Sequence, residues 1–238
     1  TDACPGGCLV CWNHSPHVSK GGQGDASSLE FKAVEEFLRS ARSYGTREAV
    51  FSGGGEPFAY ERVWEVLERA SAVGLPFRIN TNLLLLKKND LRRMAEMEYL
   101  RSLTVSVWAA NPFLYARLHD RIPEDFRRVK ESMESLNRLK HGNLRVILFA
   151  VVNSVNAHCL KELADLAYSS GCDAVEFGLV DAIPGATDRY LLDAGQLAAV
   201  KDDFLDMLEK SRRLKDFSVN ARTRGIFLRR ISHKGACS

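Results

Sequence analysis

The 238-residue chain contains no run of about 18 apolar residues, so its sequence offers no transmembrane helix. Its first residues lack the basic-then-apolar layout of a secretory signal. No internal repeat, low-complexity tract or interior linker divides it, and no Gly-Lys-Ser/Thr follows any of its glycine runs to make a phosphate-binding P-loop. Charge of one sign is scarce as well. The net charge of +3 is too weak to imply a polyanionic partner for the whole chain. Six cysteines are too few to staple a chain of this size. What remains, 45% apolar and 26% charged residues, is the composition of one large α/β domain.

Three of those cysteines crowd into eight residues, Cys4-Pro-Gly-Gly-Cys8-Leu-Val-Cys11. Pairing any two would strand the third, so the pattern favours a metal site in a reducing compartment, hence the cytoplasm. Three thiolates are one short of the four that close a tetrahedral metal site or fully ligate an iron–sulfur cubane. A missing protein ligand leaves room for an exogenous one. Pro5-Gly6-Gly7 gives the loop the backbone latitude to wrap several corners of one cluster. The competing reading is zinc, with His14 or His17 as fourth ligand of a Cys3His site. That would make a zinc-stabilised binding module whose basic tail contacts nucleic acid. Cys159 and Cys172 lie in apolar surroundings and read as small buried fillers.

From residue 30 onward, helix-period and strand-period segments alternate. Strands are expected near residues 48, 77, 105, 148 and 177. Helices are expected around 29–41, 63–70, 90–98, 124–140, 157–169 and 194–212. Near-continuous apolar strands such as residues 144–152, separated by helices, argue for a parallel sheet covered by helices. The first strand leads into Gly53-Gly54-Gly55-Glu56-Pro57. Its glycines let a ligand lie against bare backbone, and Glu56 adds a carboxylate suited to an ammonium group. A tight strand-to-helix turn with Glu56 as a helix-start acid explains the same residues.

Cys4, Cys8 and Cys11, together with Gly54-Gly55-Glu56-Pro57 at the end of a strand, resemble the two hallmarks of the radical S-adenosylmethionine superfamily. The resemblance implies a partial (β/α)6 TIM-like barrel of parallel strands, an α/β fold whose first strand, the one leading into the cysteine loop, is missing from this chain. It implies a 4Fe–4S cluster on Cys4, Cys8 and Cys11, with S-adenosylmethionine on its open iron. Gly54, Gly55, Glu56, Asn82, Ser106 and Asn153 would then contact that cofactor. Reductive cleavage would give a 5′-deoxyadenosyl radical that abstracts hydrogen from a substrate, whether peptide, protein or small metabolite. An electron donor such as flavodoxin or ferredoxin is implied too, with no membrane and no nucleic acid as partner.

The matches thin along the chain. Thr81-Asn82 is followed by Leu83 where relatives carry glycine, and Ser106 by Val107-Trp108-Ala109 rather than a close Asp-Gly. His119-Asp120 resembles a pair found in peptide-modifying relatives, with Pro123 where those have arginine. Asn153 and Asn156 resemble asparagines after the fifth strand, and ordinary strand-end turns account for them equally. Trp108 reads as a core residue or as a stacking wall. From Ser211 to Ser238 there are eight Lys and Arg against one acid. The expected division is therefore a core domain at 1–214 and a basic edge at 215–238 leading toward a further domain. Cys237 reads either as the first ligand of a SPASM or twitch auxiliary-cluster domain or as an unpaired thiol. The simplest expectation is a core piece excised from a longer protein.

Overall fold

Six parallel strands form one sheet in simple sequence order, β1-β2-β3-β4-β5-β6, in a computed structural model that describes residues 1–18 and 27–221. The strands are β1 (Ala49–Phe51), β2 (Phe77–Thr81), β3 (Leu100–Ser106), β4 (Arg145–Val152), β5 (Ala174–Leu179) and β6 (Ser218–Ala221). Every neighbouring pair is parallel. Parallel neighbours need crossovers, and helices supply them. These are α2 (Val63–Ala72), α3 (Lys88–Ala95), α4 (Pro112–His119), α5 (Pro123–Leu139), α6 (Leu160–Ser169) and α7 (Ala194–Ser211), with α1 (Phe31–Ser43) ahead of the sheet. The order and the parallel register are those of the expected partial barrel.

Local chemistry sets the element ends. Asn111 caps α4 by accepting from the Leu114 amide at 2.9 Å, and Pro112 occupies its first turn. Asp193 and Gln196 form a reciprocal capping box on α7. Gly74 and Gly171 follow α2 and α6 with φ of 67° and 77°, a backbone that a side chain would strain. Strand side chains such as Phe77, Ile79, Leu103, Val105, Leu148 and Phe177 are fully buried beneath Leu67, Met94, Met133, Leu163 and Phe204 of the helices. Each such side chain contributes roughly 1.5–3 kcal/mol of burial. No helix among the described residues is long and apolar enough to cross a membrane.

Two elements were not read from the sequence. Strand β6 pairs with β5, with Val219 opposite Val175, and falls inside the stretch expected to be a basic edge. Helix α4 is only eight residues long and has a weak apolar stripe. Residues 156–159 form a turn rather than the start of α6. Cys237 lies outside the described residues.

Candidate functional site

The C-terminal strand ends surround a cavity of about 620 Å³. Parallel barrels gather their functional loops at that face. Cys4, Cys8 and Cys11 line it from one side, and Gly55, Glu56, Asn82 and Ser106 line it from the ends of β1, β2 and β3. Gly54 and Asn153 do not line it.

The cysteine loop is held by the end of α4. The Leu9 amide donates to the Leu118 carbonyl at 2.8 Å, and Arg121 Nη1 donates to the Pro5 carbonyl at 2.5 Å. A side chain at Gly6 would press on the His119 carbonyl, and one at Gly7 on the Asp120 carboxylate. Asp120 ends α4 in the left-handed region at φ 53°. Arg121 in turn binds Asp125 at 2.8 Å, and Arg128 holds the other oxygen of that wholly buried carboxylate at 2.9 Å.

Each of the three sulfurs has a nitrogen neighbour. The amides of Asn13 and His14 donate to Cys11 Sγ at 3.4 and 3.3 Å. His119 Nδ1 lies 3.2 Å from Cys8 Sγ, and Asn82 Nδ2 lies 3.9 Å from Cys4 Sγ. Burial pushes the Cys4 thiol up and the Cys8 thiol well above its ordinary range, and at Cys8 the neighbouring Cys11 and Cys4 push the same way. Three such thiolates are tolerable together only around a cationic group, so this donor set fits a metal cluster. Among the described residues, no three His, Cys, Asp or Glu side chains converge on a single ion. His17 Nε2 instead meets the Tyr190 hydroxyl at 2.8 Å, and the His14 ring stays beside Asn13 at 3.4 Å. The Cys3His zinc arrangement is thus not formed.

The glycine turn packs edge-on against the segment before Cys4. The Gly55 amide donates to the Thr1 carbonyl at 3.0 Å and the Glu56 amide to the Ala3 carbonyl at 2.8 Å. A Cβ on Gly55 would overlap the Ala3 carbonyl, and one on Gly54 the Asp2 carboxylate. The Gly54 carbonyl accepts from Asn13 Nδ2 at 2.8 Å, so Gly54 faces the cysteine loop and not the cavity. Glu56 is buried and accepts from the Thr81 hydroxyl at 2.6 Å, the Asn82 amide at 2.8 Å and the Phe58 amide at 3.4 Å. Burial raises its carboxyl above the ordinary range, and these three donors offset only part of that rise. A carboxylate has about four acceptor positions. Glu56 therefore knits two strand ends together with three of those positions filled.

Leu83, which stands where relatives were expected to carry glycine, has a left-handed backbone at φ 62°. Asn153 is fully buried; it accepts from the Val155 amide at 3.0 Å and donates to the Val151 carbonyl at 3.1 Å. These bonds form a turn at the end of β4. Asn156 does similar work, donating to the carbonyls of Trp108 and Val151 at 2.9 Å. Trp108 is both buried and part of the cavity wall.

His119 and Asp181 also line the cavity, and neither was expected there. The only sequence signal for His119 was its pairing with Asp120. Its ring is wholly buried, which holds its pKa down to about 3 and keeps it neutral.

Residues 1–167 match the family model described as the radical SAM superfamily. The chain is 25% identical over 215 residues to a PqqA peptide cyclase of Rhodopseudomonas palustris, covering 90% of this chain and 54% of that protein. The fold is similar to that of Streptococcus suis SuiB bound to S-adenosylmethionine (TM-score 0.74, 19% identity, 93% of this chain and 48% of that one). It is also similar to SuiB bound to its precursor peptide SuiA (TM-score 0.72, 18% identity, 92% and 47%). The chain thus spans about half the length of each.

Proposed function

The chain belongs to the radical SAM superfamily, and from that premise we propose that Cys4, Cys8 and Cys11 hold one 4Fe–4S cluster with an iron left open to S-adenosylmethionine. The carrying observation is the placement of three sulfurs, each with a nitrogen neighbour, on the same cavity as Gly55, Glu56, Asn82 and Ser106. When bound, the cluster supplies the electron that splits S-adenosylmethionine into methionine and a 5′-deoxyadenosyl radical.

The chain's own residues bind and orient. Glu56 offers its remaining acceptor position to the ammonium of the methionine moiety. Gly55 keeps the backbone bare beside it. Asn82 and Ser106 present polar groups on the adjoining wall. Val10, Trp108, Phe149, Val151 and Ile183 give the cavity its apolar lining, which keeps water from a reactive radical.

The substrate is a peptide. This rests on the peptide cyclase relative and on the shared fold with a structure that holds a precursor peptide. Electrons come from a small donor protein such as flavodoxin or ferredoxin, in the reducing cytoplasm where free thiols persist.

The test uses the full-length protein reconstituted anaerobically with iron and sulfide. It should turn brown and release 5′-deoxyadenosine when given S-adenosylmethionine and dithionite. A triple Cys4→Ala, Cys8→Ala, Cys11→Ala variant should release none and lose the matching share of iron and sulfide. A variant that keeps its full iron and sulfide content sinks the assignment.

A further inference from the structure

We propose that His119 is a positioning residue that donates its Nδ1–H to Cys8 Sγ and thereby sets how readily the bound cluster accepts an electron. The proposal rests on the reading of Cys8 as a cluster ligand. Three observations carry it. First, Nδ1 lies 3.2 Å from Cys8 Sγ, within range for a hydrogen bond to sulfur. Second, the Trp108 backbone N–H donates to Nε2 at 3.1 Å. A backbone amide can only donate, so Nε2 is the unprotonated nitrogen. A neutral imidazole then carries its single proton on Nδ1, aimed at the sulfur.

Third, the ring has nowhere to turn. It lies 4.7 Å from the Trp108 ring and 4.4 Å from the Tyr115 ring, centroid to centroid, and both neighbours are buried. Helix α4 delivers His119 as its last residue, and the following Asp120 and Arg121 clamp the cysteine loop. The donor and the sulfur it serves are therefore fixed by one joint.

The three sulfurs are not equivalent in this respect. Cys11 is served by backbone amides and Cys4 by an asparagine at the longer distance of 3.9 Å. Cys8 alone among them faces a ring N–H at close range. Negative charge on the thiolate grows when the cluster takes up an electron. An N–H aimed at it stabilises the reduced form more than the oxidised form and so raises the potential. Metal-site partners of this kind orient the ligand as well as tune it.

The experiment takes the full-length protein, reconstituted anaerobically, through a potentiometric titration read by electron paramagnetic resonance. The signal followed is the one that added S-adenosylmethionine perturbs, which separates this cluster from any other. His119→Phe should shift the midpoint to a more negative potential. His119→Asn, which places an amide donor near the Nδ1 position, should recover most of that shift even though the Trp108 amide loses its acceptor. An unmoved midpoint in His119→Phe overturns the proposal.

A measurement on the unsubstituted protein decides the matter if His119→Phe takes up no cluster. With histidine 15N-labelled in its ring only, pulsed resonance of the reduced cluster should show one weakly coupled 15N. A loaded protein without that coupling overturns the proposal and leaves the cluster assignment standing. A protein that takes up no cluster overturns both.

Discussion

The Thr81 hydroxyl donates to Glu56 Oε1 at 2.6 Å and accepts from the Leu83 amide at 3.0 Å, so one oxygen ties the turn after β1 to the end of β2. Thr81→Val keeps the shape and removes both bonds. It leaves a buried carboxylate with one donor fewer and strands the amide of Leu83, whose backbone is already in the left-handed region. Loss of a hydrogen bond to a charged acceptor should cost about 1.5–3 kcal/mol. Urea unfolding should show that loss. S-adenosylmethionine affinity should fall alongside it, because Glu56 is no longer held toward the cavity. Unchanged stability would mean that Glu56 does not depend on Thr81.

Gly55→Ala tests the fit between the glycine turn and the segment ahead of Cys4. The added methyl overlaps the Ala3 carbonyl, which is fixed by the Glu56 amide and cannot swing away as a side-chain tip would. Overpacking of this kind costs typically about 1–3 kcal/mol. Here the displaced atoms lead directly into Cys4. The expected result is reduced iron and sulfide content after reconstitution, with circular dichroism of the barrel little changed. Full cluster content would show that the turn and the cysteine loop adjust independently.

Much of this architecture was legible because its signals are local. Helix-period apolar spacing announced α2, α5 and α7, and the apolar run through β4 announced a strand, one face of which is fully buried while Phe149 and Val151 on the other line the cavity. The three cysteines and the glycine turn were legible as motifs. What stayed hidden depends on contacts distant in sequence. β6 has four residues, one of them Asn220, and becomes a strand only through pairing with β5. Helix α4 has a weak apolar stripe, so neither its existence nor its delivery of His119 to Cys8, 111 residues away, follows from periodicity. Asn153 is ambiguous in another way. A polar residue at a strand end reads the same whether it points into a cavity or, as here, into its own turn.

Cys172 supplies a pH dependence whose sign is fixed by burial. Its thiol is pushed up to about 12 from its ordinary value, chiefly because burial disfavours the thiolate; the Asn137 side chain offsets part of this. The folded state thus holds its proton where the unfolded chain has released it. The stabilising contribution is fully present below about pH 9 and is lost as the pH rises toward 12, by about 1.4 kcal/mol per pH unit. Urea midpoints measured across that window should fall less steeply for Cys172→Ala than for the unsubstituted protein. Parallel slopes would contradict the burial. At pH 8, Cys172 and the likewise buried Cys159 should both resist iodoacetamide until the protein unfolds.

Arg121 joins the cysteine loop to the buried end of α5, and that double duty separates its two contributions. Arg121→Ala removes the donor to the Pro5 carbonyl and one of the two arginine partners of Asp125, which is 1% exposed. Arg128 still holds the other carboxylate oxygen, so the cost should be about 1.5–3 kcal/mol, below the 3–5 kcal/mol or so expected when a buried charge loses its partner. Arg121→Lys should recover little, since a single ammonium cannot span a backbone carbonyl and a carboxylate as the guanidinium fork does. Asp125→Asn should cost stability yet leave the Pro5 bond in place. Comparing iron retention after gel filtration then tells the roles apart. Arg121→Ala should release iron faster than Asp125→Asn at matched stability. Equal release would show that α5, and not the bond to Pro5, holds the loop.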